Sequence, residues 1–396
     1  MKRLLQIIRR IQIKYFVSRI LYELDRDYDL DLNFYKKQKW PSDDYKRSYT
    51  QYCCQIRPVS NVMIFILNFV SSIICPFWLF YCLVKRRGVL QVQPKGICFF
   101  MCDNAPSVYP LELLDSGLCV FEEMTIYNPN LDRKDLKYIL SFWRRYPLSY
   151  WLLLRLITKL AVYRSLIQRY DPKMIVVTGE NIALSSILTY YCEGHGIEHV
   201  DIMQGDMFSS INNAFFRYHK CFVWDEHYID AFRRFGGEAE FIICHPKVLC
   251  INSNQNEQYD LIVDYTYYLS CHTEEEYQAI ANILRKIIRL GKSVRVRPHF
   301  RWTNMDMLKK YFLGIQIEDL NKMTIEKSIV TTKVAVSLCS TVLLQVYFNG
   351  GIVKIDDIVY EEKYIKMKKL DYILLSKKHY LLSDVFREDK LLCICC

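Results

Sequence analysis

The sequence predicts an α/β chain of two parallel-sheet halves, preceded by a basic and apolar N-terminal region. Three observations predict it. Short β-branched or aromatic runs alternate with helix-period segments from about residue 96 to 360. That rhythm breaks at residues 250–258, Cys-Ile-Asn-Ser-Asn-Gln-Asn-Glu-Gln, a polar stretch without periodicity, and then restarts. The formal charge of +10 over 396 residues is also uneven: residues 1–90 hold 16 Lys and Arg against 7 Asp and Glu, the remainder 37 against 36. The expected organisation is a membrane-associating segment at 1–90, a first α/β domain at 91–249, a linker at 250–258, a second α/β domain at 259–372 and a tail at 373–396.

Residues 1–24 put Leu4, Leu5, Ile8, Ile11, Phe16, Ile20 and Leu21 near one face of a helix. Lys2, Arg3, Arg9, Arg10, Lys14 and Arg19 fall largely elsewhere, so the helix is amphipathic and basic. It suits an anionic bilayer or, equally, a docking face on its own protein. Arg9-Arg10 interrupt the apolar start and no small-residue cleavage site follows, so no cleavable signal is expected. Residues 36–60 are polar and read as a connecting region. Residues 62–84 are the most apolar stretch of the chain, closed by Lys85-Arg86-Arg87, and are long enough for one span. Pro76 interrupts them, with Asn68, Ser71 and Ser72 upstream. Both flanks are basic, so a single crossing would export the Lys and Arg that precede it, against the positive-inside tendency. The preferred reading is an in-plane or re-entrant element, then a true span, then a buried core helix.

The first expected strand, 96–101, ends at Cys102-Asp103-Asn104, and 118–121 is a second. Residues 136–167 are helical with a break near Pro147. A compact βαβ unit follows. Its strand at 173–177 ends at Thr178-Gly179-Glu180-Asn181, its helix at 182–192 ends at Gly194 and Gly196, and its second strand at 199–203 ends at Gln204-Gly205-Asp206. A strand at 221–223 leads through Trp224-Asp225-Glu226-His227-Tyr228 into a helix at 229–235, and 241–244 is a further strand. Beyond the linker, 261–264 is a strand, and Thr273 with Glu276 forms a capping box for a helix running to Gly291. Strand 294–296 ends in Arg297-Pro298-His299, and a short helix spans 305–312. Strand 334–338 meets the Cys339-Ser340-Thr341 turn and a helix that runs to 349–351. Strand 352–355 ends at Asp356-Asp357.

Several function classes fall away. No Walker loop and no Gly-x-Gly-x-x-Gly fingerprint is present, which counts against nucleotide triphosphatases and nicotinamide enzymes. The basic excess lies in one apolar-flanked segment and not as a stripe on a folded domain, so nucleic acid is not the expected partner. The sixteen cysteines include no pair of Cys-x-x-Cys knuckles and read as thiols in a reducing cytoplasm. Asp356-Asp357 is the nearest approach to a metal motif, and a weak one.

The chemistry concentrates at strand ends, where open α/β sheets collect ligands. Arg295, Arg297 and His299 cluster at one, and Ser340-Thr341 stand before a helix at another. A helix N-terminus with hydroxyls and unpaired N–H groups is an anion site, although Ser340 could equally be a plain N-cap. In the first half, Glu180 and Asp206 are the preferred general bases, in that order. Glu180 could instead be a carboxylate placed at a helix N-terminus for the dipole. Asp103, Gln204, Asp225 and Glu226 also fall on loop positions there. His195, His199 and His219 read as surface or structural residues.

The Arg297-Pro298-His299 run, followed some forty residues later by Ser340-Thr341, resembles the His-Pro and Ser-Ser/Thr motif pair of bacterial sialyltransferases and polysialyltransferases. Thr178-Gly179-Glu180-Asn181, Gln204-Gly205 and the 223–228 segment are similar to bacterial capsule and O-antigen glycosyltransferases. The resemblance covers about residues 95–360. It implies a GT-B-like pair of Rossmann-like domains facing a cleft, and inverting transfer of sialic acid from CMP-sialic acid to a glycan or lipid-linked acceptor. It further implies that His299 contacts the donor phosphate, with Ser340 and Thr341 holding the same phosphate or the carboxylate. From their loop positions, Arg297 is placed beside them on the donor side, and Asp103, Gln204, Asp225 and Glu226 on the acceptor side. No cofactor and no metal is implied, and the enzyme would work at the inner face of the cytoplasmic membrane, peripheral, monotopic or by a single span. Two departures stand out. Phe300, not proline, follows His299, and Gln204-Gly205 stands where many relatives carry His-Gly. The alternatives are a transferase using another activated sugar or a polyol phosphate, or a non-catalytic glycan-binding component of capsule assembly or export.

Overall fold

The computed structural model describes residues 27–85, 96–100, 109–110, 113, 119–122, 129–179, 182–203, 205, 210–251, 262–269, 273–300, 303–377 and 379–387. The chain divides into two compact units, Met1–Pro246 and Lys247–Cys396. The amphipathic helix expected at 1–24 and most of the 250–258 linker lie outside the described residues.

The described part of the first unit begins with α1 (Tyr28–Lys36), α2 (Asp44–Ile56) and α3 (Asn61–Val84). Then come β1 (Ile97–Phe100), β2 (Cys119–Glu122), α4 (Leu136–Arg145), α5 (Tyr150–Tyr170), β3 (Met174–Val177), α6 (Ser185–Glu193) and β4 (Glu198–Ile202). β5 (Arg217–Val223), α7 (Glu226–Arg234) and β6 (Glu238–Ile243) complete it. Its sheet runs β2-β1-β3-β4-β5-β6, and every pairing is parallel. Such strands are covered on both faces, which is why 175–177 read as a continuous apolar run and Ile175, Val176 and Val177 are buried. Asp171, at φ 42°, ends α5 in the left-handed region and turns the chain into β3.

The 36–60 stretch is not a connecting region: it carries α2, with a largely polar buried face. Arg47 Nη2 donates to the Gly236 carbonyl at 2.6 Å, and Ser48 Oγ accepts the Ile187 N–H at 3.1 Å. Arg217 Nε donates to Asp44 Oδ1 at 2.6 Å. Because Arg47, Ser48, Thr50 and Gln51 share the buried face with Tyr45, Tyr52 and Cys54, the sequence of α2 shows little of the hydrophobic period that marks a helix. The segment expected as membrane-associating helices thus includes one that packs on the sheet body. Only α3 is long and apolar enough to cross a membrane by length and composition among the described residues.

His199 shows what the first unit's interior demands. Its ring is fully buried on β4, between Tyr163 Oη at Nε2 and Thr189 Oγ1 at Nδ1, both at 2.8 Å. Burial, reinforced by the charges of His219, Arg217 and Lys159, lowers its pKa to about 3. A group held neutral in the fold but protonated when unfolded withdraws stability as pH falls through its unfolded value. The loss therefore starts near pH 6.5 and continues toward pH 3, at up to about 1.4 kcal/mol per pH unit. Denaturant midpoints should give a loss on the order of 2 kcal/mol between pH 6.5 and 5, flattened in His199→Gln. An unchanged slope in that variant would assign the acid sensitivity elsewhere.

The second unit contains β7 (Val263–Tyr268), α8 (Glu274–Arg289), β8 (Val294–Arg297), α9 (Met305–Tyr311), β9 (Gln316–Ile317) and α10 (Ile325–Val330). It continues with β10 (Thr332–Ser337), α11 (Thr341–Phe348), β11 (Ile352–Ile355), α12 (Glu361–Lys369), α13 (Ile373–Ser376) and β12 (Tyr380–Leu381). The order is β12-β11-β10-β7-β8-β9, again all parallel. Numbered within the unit, the strands read 6-5-4-1-2-3, the doubly wound order. α8 shows the expected capping box at Thr273 and Glu276 and buries Tyr277, Ile280, Leu284 and Ile287 along one face. The stretch read as a tail from 373 does not trail away: it supplies α13, and β12 pairs with β11 to finish the sheet. β9 and β12 are two residues each, too short to show a period.

Candidate functional site

In a doubly wound sheet the crossovers leave the first strand on opposite sides, and ligands enter the crevice where they diverge. In the second unit that switch point lies between β7 and β10. Tyr268 pairs with Arg297 across β7 and β8, and Ser337 pairs with Ile355 across β10 and β11. Ser337 Oγ donates to the Tyr268 carbonyl at 2.9 Å and ties the two central strand ends together. Arg297, Tyr268, Ser337 and Ile355 thus form one row across the C-terminal edge.

Three residues beyond Ser337 the chain enters α11. Ser340 is its N-cap, accepting the Val342 N–H at 3.3 Å, and the expected plain-cap role is therefore real. It does not exclude the anion role, since a cap side chain meets only one of the first-turn donors. No acidic residue stands in α11's first turn, whereas α8 begins with Glu274, Glu275 and Glu276. The positive end of the α11 dipole is therefore left without a carboxylate, and Thr341 is exposed there.

His299 lies two residues past β8, on the same edge. It is not on the strand next to β10, because β7 intervenes; two strand spacings amount to about 10 Å. Its backbone N–H donates to Thr303 Oγ1 at 2.7 Å, and its half-buried ring stacks on the exposed Phe300, centroids 5.0 Å apart. His299 and the α11 N-terminus thus flank the end of β7 from opposite sides.

Arg297 has protein partners of its own. Its Nη1 is 2.6 Å from Glu318 Oε2 and also donates to the Met323 carbonyl at 3.0 Å. Arg295, 2% exposed, is 2.8 Å from Glu318 Oε1 through Nε, and its Nη2 donates to the Ser328 carbonyl and the Thr331 and Thr332 hydroxyls. Ser328 Oγ donates to Glu318 Oε1 at 2.6 Å. The two arginines and Glu318 form a buried charged triad that fixes the end of β8 and so carries His299. Sequence reading missed Glu318, which sits beside a two-residue strand with no motif around it.

Asp356 and Asp357 are likewise structural. Asp356 accepts from Tyr267 Oη and from the Ile358 and Val359 N–H groups, and burial raises its pKa. Asp357 accepts from Ser383 N and Oγ. Among the described residues no cluster of three or more His, Cys, Asp or Glu is placed to hold a metal ion. Nine cysteines, Cys53, Cys54, Cys75, Cys82, Cys192, Cys221, Cys244, Cys250 and Cys339, are free thiols.

In the first unit the switch point lies between β1 and β3. Asp103 and Glu180 follow these strands in sequence, and Gln204 and Asp206 follow β4; all four lie outside the described residues. What is described is the frame around Glu180. Gly179 N–H donates to the buried Asp201 Oδ1 at 2.6 Å, and Tyr218 Oη donates to the Gly179 carbonyl at 2.8 Å. A Cβ on Gly179 would fall 2.4 Å from Ile182 Cδ1 and 3.2 Å from Tyr218 Oη, which explains glycine in this turn. Asp201 was not singled out in sequence because a carboxylate inside an apolar strand run carries no motif. Asp225 is the N-cap of α7, accepting the His227 N–H at 2.7 Å, and Glu226 stands exposed in the helix's first turn.

The second unit is thus a doubly wound α/β domain with a helix N-terminus at its switch point. No protein-family model matches the chain, and no curated protein does. Among solved structures it is similar to an S. aureus MnaA–UDP co-structure, at 10% identity and TM-score 0.42, over 75% of this chain and 87% of that one. It is also similar to the UDP-GlcNAc 2-epimerase from Neisseria meningitidis bound to UDP-GlcNAc, at 11% and 0.38, over 75% and 99%. A third is the glycotransferase of kitacinnamycin, at 8% and 0.39, over 73% and 87%. At these scores the likeness carries no argument about chemistry, and the fold class rests on the two sheet orders.

Proposed function

We propose that the chain is an inverting glycosyltransferase of bacterial surface-polysaccharide synthesis that takes an activated sugar on its second unit. The observation that carries this is the β7/β10 switch point, where the carboxylate-free start of α11 with Ser340 and Thr341 meets an edge that also holds His299. Helix N–H groups, hydroxyls and an imidazole are what a leaving phosphate needs. CMP-sialic acid is the donor favoured by the motif resemblance; another nucleotide-activated sugar or a polyol phosphate would use the same groups.

In the reaction, an acceptor hydroxyl oxygen attacks the anomeric carbon while a carboxylate takes its proton. The bond to the phosphate oxygen breaks, and the nucleotide leaves with the electron pair. His299 and the α11 donors meet that developing charge, without a resident cofactor. Glu180, or failing it Asp206, is the base, with Asp103, Gln204, Asp225 and Glu226 toward the acceptor. The acceptor is a glycan or lipid-linked saccharide at the inner face of the cytoplasmic membrane. The non-catalytic alternative has one observation in its favour, glutamine at position 204.

Thermal shift against CMP, UDP and GDP tests the donor assignment. Stabilisation by CMP but not by UDP or GDP supports sialyl transfer. Stabilisation by UDP or GDP retains the transferase and replaces the sugar. No response to any of them removes the donor site.

A further inference from the structure

We infer that α3 is a monotopic anchor, lying along one phospholipid leaflet on a defined face and not crossing it. This takes up the membrane placement proposed above but rests on none of the sugar chemistry.

The helix has two unlike faces. One is latched to α5: Asn68 Oδ1 accepts the Trp151 N–H at 3.0 Å, Cys75 Sγ donates to the Tyr150 carbonyl, and Trp78 Nε1 donates to Thr158 Oγ1 at 3.1 Å. Beyond them, Leu131 N–H donates to the Cys82 carbonyl. With these bonds spread from Asn68 to Trp78, α3 packs against α5 over much of its length. The other face is apolar apart from Ser72, whose hydroxyl is turned back onto the Phe69 carbonyl. Eleven large apolar side chains between Val62 and Val84 are 42–74% exposed, among them Phe65, Phe69, Phe77 and Phe80. A typical monomer's largest apolar patch is about 300–600 Å²; a helix of 24 residues, about 36 Å long, exposing this many side chains exceeds it.

Topology excludes a crossing. The residues before α3 and those after it belong to one packed body: Asp44, Arg47 and Ser48 of α2 bond to Arg217, Gly236 and Ile187. Both ends of α3 are therefore on the same side. A spanning α3 would also draw α5 into the hydrocarbon, and α5 carries Arg155, Lys159, Arg164 and Arg169 and packs against β4 through Tyr163 and His199.

The occupant of the open face is lipid and not a second copy. From 60 to 85 there is no acidic residue, and the helix ends at Lys85, followed in sequence by Arg86-Arg87. Phosphatidylglycerol headgroups complement these cations at the level where the phenylalanines enter the acyl region.

The test is flotation of the full chain with vesicles of phosphatidylcholine, with and without phosphatidylglycerol, without nucleotide. Wild type should float, more strongly with phosphatidylglycerol. Phe69→Glu/Phe77→Glu should lower partitioning by about a hundredfold or more with an unchanged melting transition, while Phe69→Leu/Phe77→Leu keeps binding. Protease accessibility of tags at the two chain ends should place both on one side of the vesicle. Retained flotation of the glutamate variant, tags on opposite sides, or a lipid-free dimer that buries α3 and ignores vesicles would each overturn the inference. Nucleotide binding is unaffected by these outcomes, so failure here and failure of the donor site are separable.

Discussion

His299→Ala is expected to lower turnover by about 10²- to 10⁴-fold while leaving the fold in place. His299 bonds Thr303 through its backbone N–H and carbonyl, both of which alanine keeps, and its ring stacks on a side chain that is itself 71% exposed. What the substitution removes is the imidazole at the strand end beside the switch point. Product formation from the donor found by the nucleotide panel, measured alongside the melting midpoint, reads both quantities. Turnover equal to wild type would take His299 out of the mechanism. A collapse of the midpoint would instead make it a structural residue.

Glu318→Ala is expected to destabilise the second unit by about 3–5 kcal/mol, because it leaves Arg295 and Arg297 buried without their counter-charge. Glu318 has no exposed side-chain surface, Arg295 2% and Arg297 13%, so water cannot replace the lost carboxylate. The Ser328 hydroxyl loses its acceptor as well. Denaturant unfolding followed by hydrogen exchange across residues 294–332 would locate the loss. A cost under about 1 kcal/mol, the ordinary worth of an exposed pair, would mean that the triad is not the brace described. The two effects separate: Glu318→Ala acts on stability, His299→Ala on turnover.

The sheets were legible because buried parallel strands write themselves as apolar runs closed by turn residues. The runs at 174–177, 198–202, 294–297 and 352–355 lie close to where the sequence places them. α8 announced itself by its capping box. What stayed hidden is polar. α2 buries Arg47, Ser48 and Gln51 beside Tyr45, Tyr52 and Cys54, which blurs its hydrophobic period. Glu318 and Asp201 take their partners from strands and turns distant in sequence, and no spacing marks them. Ser340 was legible as either cap or anion ligand, and the strand order is what places that cap at a switch point. Arg297 was legible as an anion contact from its place beside a histidine, but its buried carboxylate partner, distant in sequence, was not.

The proposed nucleotide site is the C-terminal edge between β7 and β10. Hydrogen–deuterium exchange with and without the nucleotide that gives the largest thermal shift measures this directly. Protection should appear at 337–343 and around His299, and Thr341→Glu, which puts a negative charge at the start of α11, should abolish both protection and binding. Protection confined to other segments, or full nucleotide binding by Thr341→Glu, would contradict the claim.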